Sequence, residues 1–207
     1  MPENQQHGFL WESDIKTKVF GLTGPTPYTA VHDVDRDRNT LNPNENVSLK
    51  TTGSETVCMG DALRVFAYEA GCEHTGIVVQ YGQTADQKVL KHVYEIDLMQ
   101  RELLWGRIVK EDIEELDSLV RSMPNGRRDP EIDRAITQKK KELNAKSGIM
   151  RFNPKIDSKK QRRLQCSIPK FASYPTLVKS VTAEPLVRGI QIAAFILSGR
   201  RVRNRRV

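Results

Sequence analysis

AVHDVDRDRNTLNPNENVSLKTTGSETVCMGD, Ala30 to Asp61, places two strand-like runs on either side of a polar connection. The first run, predicted over Tyr28–Val34 after the turn Gly24-Pro25-Thr26-Pro27, ends in acids at Asp33 and Asp35. Arg36 to Asn46 forms the connection, punctuated by Asn-Pro-Asn. The second run, Val47-Ser48-Leu49-Lys50-Thr51-Thr52, carries one lysine and stops at Gly53-Ser54. An acid on one strand and a lysine on its neighbour meet the needs of metal-assisted phosphodiester cleavage. A carboxylate holds a hard cation through oxygen, and cation and lysine together polarise phosphate and activate water. Side chains alternate along a strand, so Asn46, Ser48 and Lys50 share one face and Glu45, Val47 and Leu49 the other. Glu45 is therefore aimed away from the lysine, while Asn46 and Ser48 are placed to add an oxygen.

These residues resemble the PD-(D/E)xK nuclease superfamily, which includes many restriction endonucleases. Asp33 matches the first acid, and Ser48-Leu49-Lys50 matches the second half of the motif. Ser48 stands where that motif has its second acid. The resemblance covers roughly the first hundred residues. It implies an α+β fold with a central mixed sheet of four or more strands flanked by helices. It also implies Mg²⁺ as cofactor, held by Asp33 with help from Glu12 or Asn46, and Asp35 is the alternative metal acid. Lys50 would then orient or deprotonate the attacking water, so the catalytic set is Asp33, Lys50, Ser48 and Glu12. A restriction-type enzyme that cuts both strands implies a homodimer, or a monomer that nicks in sequence.

Charge is distributed unevenly. Residues 1–137 hold 15 Lys/Arg against 23 Asp/Glu, and residues 138–207 hold 18 against 3. A basic back third is the footprint of a polyanion partner such as nucleic acid, and the resemblance implies double-stranded DNA. Its most informative stretch is IMRFNPKIDSKKQRRLQCSIPKF, Ile149 to Phe171. There Leu164, Cys166 and Ile168 alternate with polar residues as in a half-buried strand. Lysines contact phosphate without reading sequence, whereas arginine, glutamine and asparagine pair with base edges. The candidate DNA contacts are Lys159, Lys160, Arg162, Arg163, Gln165 and Asn153. An Arg-rich tail, 198–207, follows. The length suits one nuclease-like domain over 1–197, with a catalytic core in 1–100 and a DNA-contacting part in 138–197.

A helix is expected over Gly8–Leu22, with Glu12 and Asp14 in its early turns, where the helix dipole favours acids. Further elements are a strand at Glu55–Met59, a helix at Asp61–Ala70 capped by Asp61, and a strand pair at Thr75–Tyr81 and Val89–Leu98. Glu95 and Asp97 read as a surface pair on the second of these. Helices at Arg107–Met123 and Pro130–Ala145 come next, the latter stopped near Gly148. The apolar segment Leu186–Leu197 is expected to pack on the core.

No run approaches the ~18 apolar residues of a membrane span, so no membrane partner is expected. Cys58, Cys72 and Cys166 are widely spaced, which argues against a disulfide or zinc framework and for a reducing, cytoplasmic compartment. The four histidines do not cluster, and neither GxxxxGK[ST] nor GxSxG occurs. Two functions follow: a Mg²⁺-dependent DNA endonuclease of the type II restriction kind, or a non-catalytic nucleic-acid-binding protein that uses the basic back third.

Overall fold

The computed structural model describes residues 3–24, 30–67, 71–84, 86–125, 128–157 and 161–197, with side chains from residue 10 onward. The element order is α1 (Glu3–Phe20), β1 (Glu45–Thr52), β2 (Val57–Asp61), α2 (Ala62–Phe66), β3 (Glu73–Gln83), β4 (Gln87–Asp97), α3 (Arg101–Trp105), α4 (Lys110–Ser122), α5 (Pro130–Lys146), β5 (Arg151–Ile156), β6 (Arg162–Ile168), β7 (Val178–Thr182), β8 (Leu186–Val187), β9 (Ile190–Gln191) and β10 (Phe195–Leu197). The class is α+β, with sheets flanked by helices. Among the described residues, no helix is long and apolar enough to cross a membrane. The chain divides into two compact units of interleaved segments: residues 1–54, 75–96 and 178–207, and residues 55–74 and 97–177.

The first unit is built on a five-stranded sheet in the order β1-β3-β4-β10, with β7 also paired to β4. Trp11, Ile15 and Val19 recur at helical spacing along α1 and are buried. They join Val47 and Leu49 of β1, Ile77 and Val79 of β3, and Val93, Val187 and Ile196 in one apolar cluster. The helix also grips the backbone near β10. Trp11 Nε1 donates to Ala193 O at 2.8 Å, and Ala193 N donates to Asp14 Oδ2 at 2.7 Å. The segment Leu186–Leu197 thus packs on the core as its composition predicts.

The second unit has a three-stranded antiparallel sheet, β2-β6-β5, and helices α2 to α5. Phe152, Leu164, Cys166 and Ile168 turn one face of this sheet inward, each at most 1% exposed. Trp105 stacks edge-on against Phe66 at 5.0 Å between ring centres. Asp61 caps α2 as expected, its Oδ1 accepting from Arg64 N at 3.0 Å. Asp129 caps α5 by accepting from Glu131 N and Ile132 N. Gly148 is required by a close approach: a Cβ there would lie 1.9 Å from Leu103 O.

Three expectations need correction. Residues 30–34 form no strand. Only Val34 pairs, through an isolated antiparallel bridge to Val47, and Tyr28 and Thr29 lie outside the described residues. Val34 is the sole buried apolar side chain in 30–35, and the acids and arginines after it turn into a 3-10 helix at Arg36–Arg38. The strand expected at Glu55–Met59 runs from Val57 to Asp61 and pairs with β6. Strand β5 was unexpected because Pro154 breaks most strands, but β5 lies at the sheet edge, where a missing N–H is tolerated.

Candidate functional site

The bridge between Val34 and Val47 brings Asp33 beside β1. Asp33 N and Val34 N both donate to Val47 O at 3.0 Å, and Val47 N donates back to Val34 O at 2.8 Å. The Asp33 carboxylate then reaches two residues further along. Its Oδ2 accepts from Leu49 N at 2.7 Å and from Lys50 Nζ at 3.1 Å. Lys50 Nζ also donates to Leu49 O at 2.9 Å. Asp33 Oδ1 makes no hydrogen bond among the described residues. The two side chains keep 18% and 22% of their surface, so the pair is accessible without being fully solvated.

The other sequence-derived candidates are placed differently. Ser48 and Asn46 are buried on the strand beside the pair, and Asn46 Oδ1 accepts from Arg36 N at 2.8 Å. Asp35 is exposed at the start of the 3-10 turn. Glu12 is half-buried in the middle of α1, because the helix begins at Glu3 and not at Gly8. The expected placement of Glu12 and Asp14 in early turns therefore does not hold, and Asp14 anchors Ala193 instead. Among the described residues, no three His, Cys, Asp or Glu side chains converge to hold a metal ion. Asp33, Asp35 and Glu12 thus form no three-carboxylate cage.

The opposite face of β1 holds a charge cluster that sequence reading missed. Glu45 is 2% exposed, and its carboxylate accepts two bonds from Arg188 at 2.8 Å, one from Thr75 Oγ1 at 2.5 Å and one from Asn39 Nδ2 at 3.1 Å. Arg188 also bonds Glu95 at 3.2 and 3.4 Å, so Glu95 belongs to this cluster and not to a surface pair with Asp97. Burial pushes the Glu45 carboxyl up, but the Arg188 and Thr75 hydrogen bonds outweigh it and hold the group below its ordinary value. Burial likewise works against the Arg188 charge, and the two glutamates overcome it and raise its pKa. A cavity of about 230 Å³ adjoins, lined by Glu95, Ser180, Thr182, Val187 and Arg188. The local signal was Arg188-Gly189, a two-residue turn between β8 and β9 with φ of 50° and 80°.

In the second unit, alternation separates the DNA-contact candidates. Residues paired across antiparallel strands point to the same face. Asn153 pairs with Gln165 and Lys155 with Arg163, so these four share the outer face of β5–β6. Arg162 points the other way. Its guanidinium donates to Met123 O, Pro124 O, Gln161 O and Asp157 O at 2.7–3.2 Å, closing the carboxyl end of α4. Asn153 Nδ2 is taken up by Ser167 Oγ at 2.8 Å and Arg151 O at 3.3 Å. Lys159 and Lys160 lie outside the described residues. Lys155, absent from the sequence-derived set, follows from the alternation that starts at Asn153.

Comparison of the chain with protein-family models, curated proteins and solved structures finds no match.

Proposed function

We propose that the chain is a divalent-metal-dependent DNA endonuclease that hydrolyses phosphodiester bonds at Asp33 and Lys50. The observation that carries this reading is the 3.1 Å contact between Lys50 Nζ and Asp33 Oδ2 on adjoining backbone segments. The donors on this side of β1 are all oxygens, from Asp33, Ser48 and Asn46, which suits a hard cation. Asp33 is held through Oδ2 with Oδ1 open, the arrangement of a carboxylate that ligates through one oxygen. One protein carboxylate is sufficient for Mg²⁺, which keeps several waters and takes further oxygens from phosphate. Bound there, Mg²⁺ supplies positive charge against the phosphate and acidifies water.

The chain's own groups then have distinct tasks. The Leu49 N–H fixes the carboxylate's orientation. Lys50 Nζ, a mobile donor with three protons, offsets charge that develops on the phosphate oxygens and orients the attacking water. Asp35 and Glu12 remain the supplementary acids of this proposal, as ligands that a bound substrate would recruit. Sequence-specific cutting by a homodimer is its finer form.

A second reading has an observation of its own. Asp33 and Lys50 form an ion pair whose side chains keep only 18% and 22% of their surface, and Ser48 stands where the motif has its second acid. A non-catalytic nucleic-acid-binding protein has this arrangement too, with function carried by the basic back third. Metal dependence separates the two. Plasmid and phage-length DNA incubated with the protein in Mg²⁺ and in EDTA yields discrete fragments only with metal if the first reading holds. Smearing or nicking under Mg²⁺ alone keeps the nuclease and removes the restriction-type specificity. A gel shift without cleavage in either condition leaves the binding protein.

A further inference from the structure

The outer face of β5–β6 holds three neighbouring polar side chains with no partner among the described residues. The side chain of Lys155 makes no hydrogen bond or ion pair there, nor do those of Arg163 and Gln165. The Arg163 Nε is buried and unsatisfied, which carries a cost that a resident structural arginine avoids. Arg162, one residue earlier, has four acceptors.

The pairing adds a second anomaly. Lys155 stands directly opposite Arg163, and like charges in a cross-strand pair destabilise a sheet. Arg151, two residues before Asn153, adds a third cation whose guanidinium donates to Gly148 O and Met150 O, and β2 sets Asp61 opposite Gln165. The apolar residues of both strands point to the opposite face, so the arrangement adds nothing to the core. An anionic partner laid across the face offsets the repulsion.

We infer that the β5–β6 face is a binding site for duplex DNA, with Lys155 on a backbone phosphate and Arg163 and Gln165 toward base edges. β-strands are among the elements that read DNA grooves, and β5 and β6 are neighbouring strands at one end of the three-stranded sheet. Guanidinium and carboxamide are the groups that pair with guanine and adenine edges in the major groove. Single-stranded nucleic acid calls for aromatic stacking platforms, and no aromatic side chain lies on the outward positions 151, 153, 155, 163, 165 and 167. The site shares with the proposed function only the premise that the partner is DNA.

The test is fluorescence anisotropy of the full chain with a labelled mixed-sequence duplex and its separated single strand, in EDTA and over a range of salt. The expected result is that Lys155→Ala lowers duplex affinity several-fold and reduces the log–log salt slope by about 0.9, the value for one phosphate contact. Lys155→Ala combined with Arg163→Ala lowers affinity at least about tenfold, in line with the loss of one base contact as well. Lys155 is exposed and unpartnered, so its single variant reads binding with the fold intact. Duplex affinity and slope unchanged in that variant overturn the site. Loss of single-strand binding with duplex binding retained overturns the assignment to duplex. EDTA separates this from cleavage. A chain that never cuts but binds through Lys155 keeps the inference and loses the nuclease reading. A chain that cuts while both variants bind normally does the reverse.

Discussion

Glu45 and Lys50 lie on the same strand, yet the fold treats their charges in opposite ways. Glu45 faces the core at 2% exposure, with Arg188, Thr75 and Asn39 filling its acceptor sites. Lys50, on the other face at 22% side-chain exposure, donates to Leu49 O and to one carboxylate that retains an open oxygen. A saturated, buried cluster fixes geometry. A half-satisfied, accessible pair has capacity left for a substrate and a cation. Strand β6 repeats the contrast with two adjacent arginines, Arg162 closing a helix end and Arg163 left open. Strand alternation sets both contrasts, since neighbouring residues point to opposite faces.

The largest effect that would sharpen this comparison is on chemistry. Lys50→Ala is expected to slow cleavage by about 100–1,000-fold, the size of a lost electrostatic donor, while duplex binding in EDTA stays near the parent value. The melting temperature should fall as well, because side chains that keep only 22% and 18% of their surface form a pair worth more than an exposed one. Undiminished single-turnover cleavage by this variant would remove Lys50 from the site.

Glu45→Gln should have the converse signature. Breaking one side of a buried pair costs about 3–5 kcal/mol, so denaturant titration should show a large loss of stability. A loss below about 1 kcal/mol would mean that Glu95 alone satisfies Arg188.

The pH dependence follows with its sign. The Glu45 carboxyl is held below its ordinary 4.5, so the unfolded chain binds its proton first as pH falls. Its contribution is complete above that value and disappears as pH drops through the lower folded value. Asp112 is also lowered: burial raises it, but the Lys146 and Val109 bonds outweigh burial. Glu45→Gln should therefore make the acid limb of the stability curve shallower without flattening it. An acid limb identical to the parent's would contradict the assignment.

The smallest effect concerns the arginine pair. Arg162→Ala should cost about 1–3 kcal/mol by stripping donors from carbonyls at the end of α4, and it should leave the salt slope of DNA binding intact. Arg163→Ala should weaken binding with little loss of stability. Exchanged signatures would show that the two faces have been misassigned.

Much of this was legible where patterns are local. Alternation along Val47–Thr52 separated Lys50, which meets Asp33, from Glu45, and Asp61 and the Pro130 start of α5 were read from capping and proline chemistry. Leu164, Cys166 and Ile168 gave β6. The failures share a physical cause. The strand expected before Asp33 needed more than the one buried apolar residue, Val34. Strand β5 hid behind Pro154, whose tolerance depends on an edge position that only the folded sheet defines. Helix α1 starts in a polar stretch, ENQQ, with no apolar periodicity to mark it. The Glu45–Arg188 contact spans 143 residues, so no spacing rule reaches it. The interleaving of segments in the two units likewise depends on contacts between residues far apart in sequence.

The most direct measurement is single-turnover cleavage of an end-labelled duplex in Mg²⁺ by the parent chain and by Asp33→Ala, at protein concentrations that saturate binding for both. Cleavage by the parent, abolished by EDTA and absent from Asp33→Ala at equal occupancy, is the predicted result. Equal cleavage by the two proteins, or binding without cleavage by either, would contradict the assignment of hydrolysis to Asp33 and Lys50.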